Sequence, residues 1–182
     1  GIFDSKYFGG NLVDGYSSQR ILKGFQQLAI EDDVILREAK EGDVAKTFEW
    51  ASNPHVRIYS FNKEAIEFHE HASWFLNKVK NESCYYFIAE KEGDAIGSIR
   101  FDVINNSATI SYLLDPKFHN QGLGILLLKK GVDFLMVKKI EGIDSIVGFV
   151  MPENIASVKA FERLGFIKQI ERSSLKFTKS LK

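Results

Sequence analysis

The sequence predicts a mixed α/β (α+β) fold, in which one central sheet combines antiparallel and parallel strands and is flanked by helices. Three strand-like segments lie between residues 85 and 114, separated by turns at 91–94 and 105–106, which is the pattern of an antiparallel meander. After residue 124 the predicted elements alternate between helix and strand, which adds strands joined by helices. With 182 residues, 45% of them hydrophobic, the chain can bury the core of one domain.

The first half of the chain is predicted to contain four strands and two helices. The strands occupy residues 34–39, 85–90, 95–103 and 108–114. Asp43 is a suitable N-cap for a helix that extends to about residue 52, where Asn53 and Pro54 end it. A second helix is predicted over residues 63–80.

The second half is predicted to begin with a long helix after Gly124. A strand over residues 145–150 follows, and then a short helix between Asn154 and Gly165. Two final strands are predicted over residues 166–171 and 174–178. Because ligands of open α/β sheets bind outside the carboxyl ends of the strands, we expect a ligand at the end of the central strand.

Composition and charge exclude several classes of function. The 24 basic and 24 acidic residues balance, so the chain lacks the positive charge typical of proteins that bind nucleic acid or a membrane surface. The single cysteine, Cys84, lies in a strand-like context that favours packing over a nucleophilic role. The histidines do not form a coherent ligand set, and we expect no metal. Without an apolar run of about 18 residues or a signal-peptide pattern, we expect a cytoplasmic protein.

The most informative segment runs from Tyr112 to Gly124, where an apolar strand passes through a short loop into a helix. The amides of residues 120–125 should point out of the helix N-terminus and favour an anion there. Gly122 and Gly124 let the backbone approach a ligand closely. The spacing matches neither G-x-x-x-x-G-K-[ST] nor a dinucleotide-binding fingerprint. The segment therefore predicts a site for another phosphate-bearing ligand, with an ordinary strand-to-helix connection as the alternative.

The hexapeptide over residues 119–124 resembles the [RQ]-x-x-G-x-[GA] motif with which the GNAT superfamily of N-acetyltransferases binds acetyl-CoA. The resemblance implies a GNAT-like acyl-CoA N-acyltransferase fold, with the coenzyme between splayed central strands and its pyrophosphate on backbone amides. His119 stands where the family usually has Arg or Gln, which weakens a side-chain contact and leaves the backbone contacts intact. The implied coenzyme-binding residues of this loop are His119, Asn120, Gln121, Gly122, Leu123, Gly124 and Ile125.

The segment over residues 147–166 resembles the closing unit of the same family, a strand followed by N-x-x-S and a short helix that ends at L-G-F. This resemblance implies that Asn154 and Ser157 orient the pantetheine arm, although Asn154 is equally suited to cap the helix. It also places the coenzyme beside Leu113 and Leu114, where a strand amide near one of them would stabilise the oxyanion that forms during transfer.

Phe161 departs from the family pattern. Many members carry Tyr at this coenzyme-binding position, where its hydroxyl protonates the departing thiolate, and Phe cannot donate a proton. Either the acid comes from elsewhere or none is needed, since a thiol with a pKa near ~8.5 is a tolerable leaving group as its thiolate. The alternative is that Phe161 is a core residue of a relative that only binds the coenzyme.

Residues 49–61 and 70–75 resemble sugar-amine N-acetyltransferases that act on nucleotide-linked aminosugars, notably in pseudaminic acid biosynthesis. Glu49, His55 and His71 are candidates to take the proton of the amine, and sequence spacing selects none of them. For Trp50 a core position is the favoured interpretation. The predicted substrate-binding residues are Asn53, Arg57, Tyr59 and Trp74.

Residues 1–31 are interpreted as an N-terminal extension and residues 32–182 as the acetyltransferase domain. Residues 8–22 resemble the tail of the nucleotide-sugar hydrolases of the same pathway, so we expect that this chain is the C-terminal part of a fused two-enzyme protein. An ordinary N-terminal turn and helix is the alternative.

Together these segments predict direct transfer of an acetyl group from acetyl-CoA to a primary amine, without a covalent acyl-enzyme. The favoured acceptor is the 4-amino group of a UDP-linked aminosugar, because a sugar amine flanked by electron-withdrawing oxygens is easier to deprotonate than a lysine, whose pKa is near ~10.4. One alternative is a ribosomal-protein or peptide N-terminal acetyltransferase. Another is a non-catalytic acyl-CoA-binding module.

Overall fold

The computed structural model describes residues 34–138 and 142–182, which form one seven-stranded mixed sheet with helices on both faces. The predicted fold class is confirmed. The N-terminal extension and its hydrolase-like segment at residues 8–22 lie outside the described residues. Among the described residues, no helix is long and apolar enough to cross a membrane.

The three strands between Cys84 and Leu114 form the predicted antiparallel meander, and the strand over Val34–Glu38 pairs antiparallel with the first of them. The turns between them contain residues with positive φ, among them Glu92 (52°) and Asn105 (47°). The strands are β1 (Val34–Glu38), β2 (Cys84–Lys91), β3 (Asp94–Ile104) and β4 (Ser107–Leu114).

The second half supplies a long helix, a short helix and three strands, close to the predicted boundaries. These elements are α4 (Leu123–Lys138), β5 (Ser145–Val150), α5 (Ile155–Arg163), β6 (Ile167–Ile170) and β7 (Leu175–Ser180). The strand order across the sheet is β1-β2-β3-β4-β5-β7-β6. The long helix begins one residue before Gly124, and Gly165 has the positive φ (73°) expected of a residue that ends a helix.

Strands β4 and β5 form the parallel pair of this sheet, and they pair over only part of their length. Their register runs from Ser107 opposite Ser145 to Ile110 opposite Gly148. Beyond Ile110, β4 continues to Leu114 with no strand of the described part of the chain paired on its β5 side. The centre of the sheet therefore opens into a gap at the carboxyl end of β4, where the ligand is expected.

Within residues 34–138, three α-helices precede β2: α1 (Val44–Ser52), α2 (Pro54–Arg57) and α3 (Phe68–Lys80). The prediction that α3 starts at residue 63 was wrong, because residues 63–67 form a loop. The guanidinium of Arg57 donates to the backbone carbonyls of Asn62 and Glu64, and the Asn62 side chain accepts from the Glu64 amide at 2.8 Å. These contacts engage backbone groups that an additional helical turn would need.

Two hydrophobic clusters lie on opposite faces of the sheet. The larger packs α4 and α5 against the strands and includes Phe87, Leu127 and Phe161. The smaller packs α1 and α3 against β2 and includes Trp50 and Phe75. Trp50 is 1% exposed, so its interpretation as a core aromatic is confirmed. The gap at the end of β4 consequently has one face toward α4 and α5 and the other toward α1 and α3.

Candidate active site

Two cavities meet at the gap beside β4. The first, which we call the glycine-loop cavity, has a volume of about 740 Å³ and lies between the end of β4 and the first turns of α4 and α5. The second, the aromatic cavity, has a volume of about 430 Å³ and lies on the α1 and α3 face. Tyr112 and Leu113 line both. Two ligands bound in these cavities would therefore approach each other at the end of β4.

The glycine-loop cavity is lined by the start of α4. Leu123, Gly124 and Ile125 occupy the first turn, where backbone amides have no partner within the helix. Asn120 (φ 62°) and Gly122 (φ 75°) turn the preceding loop so that it also borders the cavity. A Cβ added to Gly124 would meet no atom of the described residues within 4 Å, so as far as these residues extend the space in front of this glycine is open. Several amide dipoles therefore point into one open volume, and this arrangement favours the binding of an anion there.

The α5 side of the glycine-loop cavity adds positive charge. Lys159 and Arg163 lie one helical turn apart and both line the cavity. Glu153 lines it as well, just before the helix begins. Sequence reasoning missed the two cations, although their four-residue spacing on a predicted helix is a signal that could have found them.

The hydrogen bonds of β4 select Leu114 over Leu113 as the residue whose amide faces the gap. The Asp115 amide donates to the Ile96 carbonyl at 2.8 Å, and Leu114 lies opposite Gly97. In this antiparallel register Leu114 belongs to a non-hydrogen-bonded pair, so its N–H and C=O point away from β3. The carbonyl of Leu114 accordingly accepts a hydrogen bond from the other side, from Nε2 of His119 at 3.1 Å.

His119 and Gln121 both stabilise the loop between β4 and α4. His119 connects the loop to β4 through the Leu114 carbonyl and also lines the glycine-loop cavity. Gln121 directs its side-chain nitrogen to the Lys117 carbonyl at 3.2 Å and is not among the residues that line this cavity. Of the predicted contacts in this loop, the backbone ones are therefore the best placed.

Asn154 and Ser157 form the start of α5, and each has a local partner. The Asn154 side chain accepts from the Ser157 amide at 3.2 Å, so the interpretation of Asn154 as a helix cap holds. Both residues also line the glycine-loop cavity. The Ser157 hydroxyl lies 2.9 Å from the hydroxyl of Tyr112 on β4, a contact that spans the gap. Tyr112 was not among the residues predicted for the site.

Phe161 is a core residue rather than a cavity-lining one. Its ring is 2% exposed and stacks on Phe177, with centroids 5.0 Å apart. A Cβ added to Gly148 would lie 2.5 Å from the Phe161 ring, so the glycine makes room for this side chain. Phe161 does not line the glycine-loop cavity, and the structure thus favours its core interpretation over a direct coenzyme contact.

The aromatic cavity contains the best-placed of the three predicted proton acceptors, His71 on α3. This side chain is 5% exposed and packs against the rings of Phe48, Trp74 and Phe75. Burial lowers the pKa of the His71 imidazole below its ordinary value, which favours the neutral form. Nε2 of His71 lies 3.0 Å from the hydroxyl of Thr47.

Thr47 determines which nitrogen of His71 is free. Its hydroxyl lies 3.0 Å from the carbonyl of Asp43, to which it donates as a helical threonine commonly does. With its one proton used there, Thr47 accepts from Nε2–H of His71. Nδ1 then carries the lone pair, and the hydrogen bond found for this ring among the described residues is the one at Nε2.

Glu49 and His55, the other two candidates, lie elsewhere. Glu49 is exposed on α1, forms an ion pair with Lys46 at 3.0 Å and lines neither of the two cavities. His55 lines the glycine-loop cavity and is exposed there. The structure therefore separates three residues that sequence spacing could not rank.

The predicted substrate-binding residues are likewise divided. Arg57 and Trp74 line the aromatic cavity, whereas Tyr59, 40% exposed, lines the glycine-loop cavity. Asn53 lines neither, because its side chain accepts from the His55 amide and caps α2. The Nε atom of Arg57 is buried and has no hydrogen-bond partner among the described residues.

Arg100 on β3 is the main residue of the aromatic cavity that sequence reasoning missed. Its guanidinium lies 4.8 Å from the ring centre of Trp74 and donates to Asp102 at 2.8 Å. Glu64 and Glu70 line the same cavity, so it offers charges of both signs. No local motif marks Arg100, because only strand pairing brings β3 beneath α3.

Comparison with known proteins identifies the fold and the family. The family model described as an acetyltransferase (GNAT) domain matches residues 33–167, most of the chain. This chain belongs to the GNAT acetyltransferase domain family. The expectation of a GNAT-type acetyltransferase enzyme is thereby confirmed.

Solved structures of the same fold include a domain from Methanocaldococcus jannaschii, with a TM-score of 0.70 and 22% identity over 81% of this chain and 97% of that one. Spermidine N-acetyltransferase from Vibrio cholerae, in complex with CoA and spermine, has a TM-score of 0.72 and 18% identity over 82% and 96%. The aminoglycoside acetyltransferase AAC(6')-Ib, in complex with ribostamycin and coenzyme A, has a TM-score of 0.71 and 22% identity over 82% and 94%.

A curated relative, an uncharacterised protein of Methanocaldococcus jannaschii, is 23% identical over 145 residues. The match covers 79% of this chain and 30% of the relative, so the chain spans about a third of that protein's length.

Proposed function

We propose that the chain transfers an acetyl group from acetyl-CoA to a primary amine by direct attack. The observation that carries the proposal is the gap beside β4, where an anion-favouring cavity and a cavity with a neutral histidine share Tyr112 and Leu113. Direct transfer needs two bound substrates that meet at one point, and the shared border of the two cavities provides such a meeting point.

In this proposal the glycine-loop cavity holds the coenzyme. The amides of Leu123, Gly124 and Ile125 would receive its pyrophosphate, and Lys159 and Arg163 would balance further negative charge. The open space in front of Gly124 is the feature that fits such a ligand. Asn154 and Ser157 would border the pantetheine arm. The solved structures of the same fold that contain CoA or acetyl-CoA support this assignment.

The amine would be activated by His71. A protonated amine has no lone pair, so the acceptor must attack in its neutral form, and a base must take the proton that its nitrogen loses as the new bond forms. His71 is neutral because burial lowers its pKa, and the Thr47 contact leaves Nδ1 as the acceptor. The amide of Leu114, fixed in a strand and directed into the gap, would stabilise negative charge that develops on the attacked carbonyl oxygen.

The acceptor we propose is a nucleotide-linked 4-aminosugar. The partly exposed indole of Trp74 offers an apolar surface of the kind that packs against a sugar ring, and Arg57 and Arg100 provide positive charge suited to a diphosphate. The narrower resemblance of residues 49–61 and 70–75 supports the same class.

A peptide N-terminus or a polyamine is the second candidate acceptor. Glu64 and Glu70 line the aromatic cavity, and carboxylates there favour a cationic amine. The shared fold of the spermidine enzyme, solved with spermine, is compatible with this alternative.

A panel of acceptors tests these proposals, with release of the free thiol of CoA as the readout. We expect turnover with a UDP-linked 4-aminosugar and little with peptides or spermidine. Turnover of peptides or spermidine without the aminosugar would contradict the sugar assignment. Tight CoA binding, measured by calorimetry, without transfer to any acceptor would instead identify a non-catalytic binding module.

We also propose that residues 32–182 act as the acetyltransferase domain of a longer, fused protein. The 30% coverage of the archaeal relative supports this, because that relative has additional chain beyond the matched segment. Reading the gene upstream of Gly1 tests the proposal. An in-frame sugar-hydrolase domain is expected, and a start codon at this position would contradict it.

A further inference from the structure

Acetyl transfer requires that the sulfur of the coenzyme leave with an electron pair, and Phe161 cannot supply it with a proton. The Phe161 ring has no hydroxyl and is enclosed by Phe166 and Phe177, with centroid distances of 4.9 and 5.0 Å. Acid catalysis by a positioned side chain typically contributes about 10²–10⁴-fold to a rate. A hydroxyl on another element beside this ring could supply the proton if it borders the gap.

Tyr112 meets that condition from a different element. Its ring lies beside Phe161, with centroids 6.1 Å apart, but it projects from β4 rather than from α5. Its hydroxyl lies 2.9 Å from that of Ser157, one helical turn before Phe161 on the same helix. Tyr112 also lines both cavities and precedes Leu114 by two residues on β4. Tyr112 thus lies between the two proposed substrate sites, with its hydroxyl at the α5 border of the glycine-loop cavity.

We infer that Tyr112 is the proton donor of this enzyme, with its phenol hydroxyl on β4 replacing the hydroxyl that Phe161 lacks on α5. The inference rests on the acetyl transfer proposed above. In the free protein the Tyr112 hydroxyl donates to the Ser157 hydroxyl at 2.9 Å, and with the coenzyme bound it donates its proton to the sulfur instead as the carbon–sulfur bond breaks.

The step balances in atoms and charge. The amine nitrogen forms its bond to the acetyl carbon and gives one proton to the base, while the sulfur takes the electron pair of the broken bond. The Tyr112 proton passes to that sulfur and yields the free thiol. The tyrosinate regains a proton from solvent and the base releases one to solvent, so that the products are the acetamide and CoA.

The surroundings of Tyr112 keep it protonated and oriented. Burial raises the pKa of the Tyr112 phenol, and the Ser157 hydroxyl opposes this only in part. Asn154 accepts from the Ser157 amide and so fixes the helix end that presents the Ser157 hydroxyl. The other charged or titratable residues that line the glycine-loop cavity are His55, Tyr59, His119, Glu153, Lys159 and Arg163. Those that line the aromatic cavity, which Tyr112 also borders, are Arg57, Glu64, Glu70, His71, Tyr86 and Arg100.

The test compares Tyr112→Phe with Tyr85→Phe, which removes a phenol hydroxyl from a half-buried tyrosine that lines neither described cavity. We expect Tyr112→Phe to lower kcat by about 100-fold or more, within the range for acid catalysis, and to leave the Kd for CoA unchanged. Tyr85→Phe should retain the wild-type kcat. A wild-type kcat in Tyr112→Phe would overturn the inference.

A fluorinated tyrosine placed at position 112 separates a proton donor from a structural role. Fluorination lowers the phenol pKa at little steric cost, so the alkaline limb of the kcat profile should move to lower pH. An unmoved profile, together with a weaker Kd for CoA in Tyr112→Phe, would assign Tyr112 a packing role and overturn the inference. If the wild-type protein binds CoA but acetylates no amine, the proposed function fails and this inference fails with it.

Discussion

The two cavities that meet at β4 are built in different ways. The glycine-loop cavity takes its anion-favouring amides from one continuous stretch, from Leu114 through the loop to Ile125, while side chains of α5 and of residues 55–60 complete its lining. The aromatic cavity depends on side chains from α1, α2, α3, β2, β3 and β4, and from the loop over residues 62–66. A backbone site tolerates different side chains as long as chain geometry is kept, as His119 illustrates. A side-chain site can change its ligand without changing the fold.

The largest effect that separates the cavities should come from Gly124→Leu. In the free protein this position faces open space, so the fold should persist while the new side chain fills the volume in front of the α4 amides. Losing two charge-assisted hydrogen bonds costs about 3 kcal/mol, so the Kd for CoA should rise at least about 100-fold. Calorimetry with CoA measures this.

Gly42→Leu is the matched control, because Gly42 also faces open space but lies far along the chain in the turn before α1. It should bind CoA with the wild-type Kd. Equal losses of CoA affinity in the two variants would show that the effect is not specific to the glycine-loop cavity.

The complementary change in the aromatic cavity is His71→Gln. Because His71 is the proposed base, its replacement should lower kcat by about 10²-fold while the Kd for CoA stays unchanged, which is the reverse of the effect of the glycine variant. His69→Gln is the control, since His69 is exposed on the same helix and lines neither of the two described cavities. A parallel loss of CoA affinity in His71→Gln would contradict the separation of the two sites.

The pH dependence follows from the sign of the His71 shift. Its folded-state pKa lies below the ordinary value of 6.5, so wild-type kcat should persist at pH 6.5 and fall as pH drops through the lowered pKa. The same shift stabilises the fold above the ordinary pKa, and this contribution to the free energy of unfolding is lost as pH falls. Urea unfolding of the wild type and His71→Gln between pH 5 and about 7.5 measures the difference. If the two proteins differ in free energy of unfolding by the same amount at every pH, the lowered pKa of His71 is contradicted.

A smaller effect is expected from Trp74→Leu. The indole packs with Arg100 and lines the aromatic cavity, and an aromatic or cation–π contact contributes about 1 kcal/mol. The KM for the acceptor should therefore rise about 5-fold, with the KM for acetyl-CoA unchanged. An increase in the KM for acetyl-CoA alone would contradict the assignment of Trp74 to the acceptor site.

The smallest effect should come from His119→Ala. This variant loses one hydrogen bond to the Leu114 carbonyl, worth about 1 kcal/mol, and leaves the α4 amides in place. The Kd for CoA should rise by less than about 10-fold. If His119→Ala loses as much CoA affinity as Gly124→Leu, the His119 side chain rather than the backbone amides makes the main contribution to CoA binding.

Much of the fold could be predicted because its signals are local. The meander followed from alternation and turn residues, and positive φ at Asn105 and Gly165 agrees with their predicted roles. The start of α3 was predicted five residues too early, because the contacts of Arg57 with Asn62 and Glu64 join a helix to a loop that follows it. Local propensity cannot register such a contact.

For the site, the sequence by itself determined the glycine loop before α4, because consecutive residues encode this loop. The turn glycines and the start of the following helix leave backbone amides unpaired. Only the tertiary structure decided that Leu114 rather than Leu113 faces the gap, that His71 rather than Glu49 borders a cavity, and that Tyr112 reaches Ser157. Each of these depends on strand register or on elements distant in sequence. Pairing and packing fix such relations, and residue order alone does not.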